Sequence, residues 1–200
     1  MKIPTLDEAE KLLSEAEQRN PGPWVAHSKN VALAAKCIAE HASLDAEAAY
    51  VLGLLHDIGR QEGVHKMRHT LDGFKFLQGL RFDDAARICI THSFVLKTMD
   101  AHEGRWDCST EELEFIADFV NATEFDDYDK LFQLCDALAI AEGICLIEKR
   151  IVNVALRVGV NNQTVAKWKA LFEVQTYFEQ KMGQSIYKVL PGVVETTFGF

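Results

Sequence analysis

Leu54-Leu55-His56-Asp57-Ile58-Gly59-Arg60 is the stretch on which the reading of this chain turns. Adjacent histidine and aspartate side chains close an apolar helical run that includes Leu52, and Gly59 is expected to stop the helix two residues later. An imidazole nitrogen beside a carboxylate oxygen suits a borderline divalent metal. Taken alone, the pair is equally well explained by a histidine favoured at a helix C-terminus and a solvated aspartate. The decision therefore rests on whether other helices supply further ligands.

Working upstream, Thr5 with Glu8 three residues on has the pattern of a capping box, opening a first helix over about residues 6–19 that closes before Asn20-Pro21-Gly22-Pro23. A second helix, about 23–41, starts at a first-turn proline and carries the stripe Trp24, His27, Val31, Ala34, Ile38. Its spacing of three and four puts His27 on the buried face. The third helix, about 45–58, holds the His-Asp pair, with the small Gly53 four residues before Asp57 to let a neighbouring helix approach.

Downstream, the polar loop Arg60 to Lys66 leads to a helix with His69, Gly73, Phe76 and Leu80 inward, then to one over about 83–96 with Ala85, Ile88, His92 and Val95 inward. Residues 97–108 lose the periodicity and read as a loop carrying Lys97, His102, Arg105 and Trp106. Ser109 with Glu112 opens a helix to about Asn121. After the acidic turn Asp126-Asp127-Tyr128-Asp129, an apolar helix should present Phe132, Asp136, Ala139, Ile140 and Gly143 on one face. Helices over about 146–158 and 164–181 follow, and the tail from Leu190 is left unassigned. No run alternates like a strand, so the fold class is all-α.

Composition narrows the field. Two hundred residues with 48% hydrophobic and 26% charged content describe a soluble globular chain, and no apolar run reaches membrane-spanning length. The charged amphipathic N-terminus lacks a secretory pattern, so the expected location is cytoplasmic. Five cysteines without C-x-x-C spacing argue against disulfides or a thiolate zinc site, and four of them are expected as small core residues in helices. A net charge of −9 disfavours a nucleic-acid polymer as partner, though a local positive site for a small anion is compatible with it.

The inward-facing ligand types are His27, His56, Asp57, His69, His92 and Asp136, delivered by five helices to a common core. Buried ionisable groups in such number need partners or a metal. The ordered pattern of His27, then His56-Asp57 in the form HDIG, then Asp136 in Leu134-Cys135-Asp136-Ala137-Leu138 resembles the HD-domain superfamily of metal-dependent phosphohydrolases over about residues 23–150. The resemblance implies an HD-domain helical bundle, here one domain over 1–200, with the N-terminal and C-terminal helices packed on the metal-binding core. It also implies that His27, His56, Asp57 and Asp136 hold one divalent metal. His69 and His92 match the two histidines that in some members serve a second metal, with Asp57 bridging, and His65 is the weaker substitute for His69.

The implied cofactor is one or two divalent ions per chain, among Fe, Mn, Zn, Co, Ni and Mg. Two carboxylates balance one such cation, and a second would bring the site to about +2, attractive to phosphate. The implied function is hydrolysis of a phosphate ester or anhydride of a small nucleotide-like substrate by a metal-activated hydroxide that Asp57 orients. Arg60 and Lys97, placed directly after ligand-bearing helices, are the foremost candidates to neutralise phosphate, followed by Lys66 and Arg68. His41 is explained by its helix C-terminus, and His102, among Asp100, Glu103 and Asp107, reads as solvated.

Two branches of the family fit poorly. Alarmone hydrolases carry acidic residues soon after the His-Asp pair, where this chain has Arg60 and Gln61, and the GYP signature of cyclic-dinucleotide phosphodiesterases is absent. The same six ligands occur in HD-fold di-iron oxygenases, which is the alternative chemistry, and a non-catalytic interaction module is a third reading. No membrane partner is expected, and a homodimer is compatible with the sequence.

Overall fold

The computed structural model describes residues 1–102 and 106–200, so Glu103 and Arg105 lie outside the described residues. Helices α1 (Leu6–Arg19), α2 (Pro23–His41), α3 (Ala46–Leu55), α4 (Arg68–Gly79) and α5 (Asp83–Thr91) come first, then α6 (Thr110–Ala122) and α7 (Asp127–Asp136). A two-residue antiparallel ladder joins β1 (Ala139–Ile140) to β2 (Gly143–Ile144), and α8 (Ile147–Val158), α9 (Thr164–Met182) and α10 (Val193–Phe198) complete the chain. Short 3-10 turns at Ile58–Glu62, Met99–Ala101 and Ile186–Lys188 link these elements. No helix of the described residues is long and apolar enough to cross a membrane.

Local chemistry accounts for most boundaries. Thr5 and Ser109 each accept from the backbone N–H three residues on while Glu8 and Glu112 reach back, so both expected capping boxes form. A third, Asp126 with Asp129, lies in what reads by sequence as an acidic turn. The α2 stripe Trp24, His27, Val31, Ala34 and Ile38 is buried throughout, and α3 lies closely against it. A Cβ on Gly53 would stand 2.4 Å from the Cα of Ala32, so glycine is what lets these two helices touch backbone to backbone.

Several expectations need correction. The third helix ends at Leu55 rather than near Ile58, because the chain tightens at His56 and Asp57 into a 3-10 turn that contains Gly59. Gly59 is therefore not a helix stop: a Cβ there would lie 2.0 Å from His69 O and 2.4 Å from Gly73 N, so it is a contact point for α4. On α4 the core positions are Leu71, Phe74 and Leu77, while Phe76 is half-buried and Leu80 exposed.

The helix expected to run through Gly143 stops at Asp136. Beyond it, Gly143 at φ 152° closes a hairpin whose Ile140 and Ala141 carbonyls accept from Asn30 Nδ2 at 2.8 and 3.2 Å. Cys145 accordingly follows a strand instead of lying in a helix; it is buried, and all five cysteines are free. The fifth helix ends at Thr91, and the tail left unassigned folds back: Thr197 Oγ1 accepts from Leu146 N at 3.0 Å, and Lys149 donates to the Thr196 and Thr197 carbonyls.

Candidate metal centre

The ends of α3, α5 and α7, the start of α4 and the first turns of α2 meet at one place. His56 and His92 are each the residue that ends a helix, and each turns its Nδ1–H back onto a carbonyl of its own helix, Gly53 O at 2.8 Å and Ile88 O at 3.0 Å. His69 Nδ1 likewise donates to Lys66 O. In all three the Nδ1 proton is spoken for, so Nε2 carries the lone pair and faces inward, the orientation a metal-binding histidine takes. The rings stand together, with centroids of His56 at 5.3 Å from His27 and 4.9 Å from His92.

Two triads of ligand atoms result, His27-His56-Asp57 and Asp57-His69-His92, each with its atoms within 4.8 Å of one another. Asp57 belongs to both. Its Oδ1 is buried and without a hydrogen-bond partner among the described residues, as is His56 Nε2. Asp57 Oδ1 also stands 3.0 Å from His69 Nε2. A buried carboxylate oxygen and a buried imidazole nitrogen left without partners are costly unless a cation lies against them, so the residues fit a divalent ion. Asp136 joins from α7, its Oδ1 accepting from His27 Nε2 at 2.9 Å, with about a third (33%) of its side chain exposed against 4% for Asp57. The cluster thus has a closed end at Asp57 and an open end at Asp136.

The charges around it fix protonation. Burial, opposed by Asp57, brings the His56 imidazolium down to about 3. Burial also lowers His92, so both imidazoles are neutral at physiological pH. For Asp57, burial pushes upward, but Arg60, His69 and His56 hold the carboxyl well below the usual carboxylate range. Burial is likewise overcome at Asp136 by His27 and Arg150.

The flanking cations behave differently from one another. Arg60 lies at the cluster, Nε donating to Asp57 Oδ2 at 2.5 Å and Nη2 standing 3.3 Å from His69 Nε2. Lys97 is turned away: its ammonium donates to Thr123 O at 2.5 Å and lies 4.8 Å from the centre of the Phe125 ring. Arg68 is engaged by Glu112 at 2.7 Å and by Asp72 at 3.4 Å, and Lys66 is exposed. His65 stands 3.7 Å from Asp107, so His69 and not His65 is in the cluster. His41 donates to Cys37 O at 3.0 Å, within its own last turn.

Several participants escape the sequence reading. Ser93 Oγ donates to His92 Nε2 at 3.0 Å. Arg150 of α8 reaches across the open end, Nε to Asp136 O at 3.2 Å and Nη2 3.5 Å from Asp136 Oδ1. Behind His92, the buried Asp129 accepts from Thr91 Oγ1 at 2.6 Å and from Arg87 Nε at 3.1 Å, which ties α5 to α7. His102 is a correction. Far from solvated, its ring stands 4.8 Å from Phe94 and 5.0 Å from Trp106, its Nε2 is buried without a partner among the described residues, and burial reinforced by Lys167 holds it well below the ordinary histidine range. The one hint of this in the sequence is Trp106 in a largely polar loop.

Over 96 residues, 48% of this chain, the sequence is 35% identical to Ribonuclease Y of Chlorobaculum tepidum, a stretch that covers only 16% of that protein. No solved structure matches the chain. A family model described as HD domain matches residues 24–141, which run from the first turn of α2 to the hairpin just past Asp136 and include all six candidate ligands, and the chain therefore belongs to the HD-domain family.

Proposed function

We propose that this protein is a metal-dependent phosphohydrolase acting on a phosphate ester or anhydride of a small, nucleotide-like substrate. The observation that carries the reading is Asp57, shared by two ligand triads and kept ionised in a buried site with an unpartnered Oδ1. His27, His56, Asp57 and Asp136 would hold one divalent ion, and His69 and His92 with Asp57 a second. A bound divalent ion supplies acidification of coordinated water and neutralisation of phosphoryl charge. The chain's own residues do the rest. Backbone carbonyls of Gly53, Lys66 and Ile88 hold the Nδ1 protons so that three imidazoles present Nε2. Asp57 is screened from water while Asp136 stays open, so substrate would enter past Asp136. Arg60, held on Asp57, stands where phosphoryl oxygens would need neutralising.

The ribonuclease likeness makes RNA the competing substrate, and a di-iron oxygenase is the competing chemistry. The test is a manganese-loaded sample incubated without oxygen against nucleotides, dinucleoside polyphosphates and short RNA, with phosphate and nucleotide products measured. Release from the small substrates is expected. RNA cleavage alone, or an inert panel alongside oxygen consumption by an iron-loaded sample, would replace this reading. Asp57→Ala is expected to lose metal and turnover together, whereas His92→Ala should stay folded and retain about one ion per chain, since the first ligand group is intact. Metal analysis decides both, and full metal in Asp57→Ala would overturn the site.

A further inference from the structure

The two ligand groups that share Asp57 are not alike. In the first, His56 Nε2 is buried and unpartnered, and the hydrogen bond at His27 Nε2 runs to Asp136 Oδ1, so both of its ends belong to ligand residues that can turn to an ion together. In the second, both imidazole nitrogens are held by donors from outside the ligand set. Arg60 Nη2 stands 3.3 Å from His69 Nε2, and Ser93 Oγ donates to His92 Nε2 at 3.0 Å. The Nδ1 protons of both rings are on backbone carbonyls, so each Nε2 has one lone pair to offer. A lone pair that accepts an N–H or O–H is not open to a cation. The serine hydroxyl can rotate aside. Arg60 is the stronger obstacle: its Nε also donates to Asp57 Oδ2 at 2.5 Å, so a single rigid fork spans the carboxylate and the imidazole and brings a permanent positive charge to them. The carboxylate has lone pairs to spare and can keep Arg60 while binding an ion, whereas His69 Nε2 cannot do both.

We propose that Arg60 is a built-in cation that stands in for the second metal: the chain holds one divalent ion firmly through His27, His56, Asp57 and Asp136, and a second reaches His69 only by displacing the Arg60 guanidinium. The inference rests on the two-group reading of the site and goes beyond it in ranking the two ions and naming the residue that ranks them. Charge points the same way. One divalent ion balances Asp57 and Asp136, and Arg60 then leaves positive charge in surplus where a second ion would sit. The turn that carries Arg60 does not depend on its side chain, because the Arg60 carbonyl accepts from Asn20 Nδ2 at 2.6 Å and from Gly63 N at 3.2 Å.

The test titrates the full, metal-free chain with manganese by calorimetry and compares the native protein with two variants. Arg60→Met removes the charge and the donors at similar length, and Arg60→Lys keeps a charge beside Asp57 but not the fork. The native protein should show two separate binding events, the second much the weaker. In Arg60→Met the gap between the two dissociation constants should narrow by about tenfold or more, the worth of a hydrogen bond to a charged group, and in Arg60→Lys by less. Because both ions would share Asp57, electron paramagnetic resonance should show coupled manganese pairs at lower metal concentration in the variants than in the native protein. Arg60→Lys retains a cation for the buried carboxylate, so narrowing there upholds the proposal even if Arg60→Met fails to fold. A gap unchanged in every variant that folds, or no second ion in any of the three proteins, overturns it. The readout needs no substrate. A narrowed gap in a protein that hydrolyses no nucleotide upholds the role of Arg60 and removes the hydrolase reading, and an unchanged gap in one that does hydrolyse nucleotides does the reverse.

Discussion

Glycines near the ligands and glycines at the far end of α8 serve opposite purposes. A Cβ on Gly59 would run into the backbone of His69 and Gly73, and one on Gly73 would meet Cys89 Sγ at 2.9 Å, although neither glycine has an unusual φ. Gly159, which caps α8, sits at φ 91° with nothing within 4 Å of an added Cβ. The first group exists for proximity, the second for backbone conformation. Around the centre, three chain segments are pressed together so that side chains from separate helices meet at hydrogen-bond distance. At the end of α8 the chain only has to turn, and Val152 and Leu156 on the helix and Val160 beyond it remain exposed. The candidate ligands are therefore held by contacts with no slack, while α8 is a more open element.

Substitutions can break or sharpen that contrast. Gly59→Ala should be the most damaging, because backbone must move at both contacts; a loss of about 4 kcal/mol or more is expected, read by urea denaturation. A loss below about 1 kcal/mol would show that the α4 junction has room the structure denies it. Asp129→Ala removes the buried partner of Arg87 and Thr91 and should cost about 3 kcal/mol, also loosening metal binding through His92, which metal titration would detect. Gly159→Ala has space but an unfavourable φ, and should cost about 1 kcal/mol with metal content unchanged.

The smallest effect concerns Glu112, whose carboxyl is drawn down to about 2 by the Ser109 backbone N–H, Arg68 and Lys75. A depressed carboxylate stabilises the fold above its ordinary value of 4.5 and loses that contribution as pH falls toward about 2. Glu112→Gln should therefore cost under about 1 kcal/mol near neutral pH. The difference from the native protein should shrink through that acid window, as stability curves at several pH values would reveal.

Much of this was legible in residue order. The spacing of three and four in Trp24, His27, Val31, Ala34 and Ile38 commits α2 to one buried face, and that periodicity survives because the whole stripe is apolar apart from the histidine. The all-α class, both capping boxes and the gathering of His27, His56, Asp57, His69, His92 and Asp136 at one end of the bundle follow from such local patterns. Tertiary contact decided the rest. Whether Gly59 ends a helix or admits one depends on what lies across from it, and periodicity carries no information about the opposing surface. The apolar run after Asp136 suits a helix or a buried hairpin equally, and Asn30, more than a hundred residues earlier, holds the carbonyls of the hairpin. Lys97 and Arg150 make the point most simply: the cation adjacent in sequence to a ligand helix turns outward to Thr123, while one fourteen residues beyond Asp136 returns to it. A long side chain takes its direction from the carbonyls and carboxylates within reach of its charged end, and those are set by how the helices cross, not by the order in which they are strung.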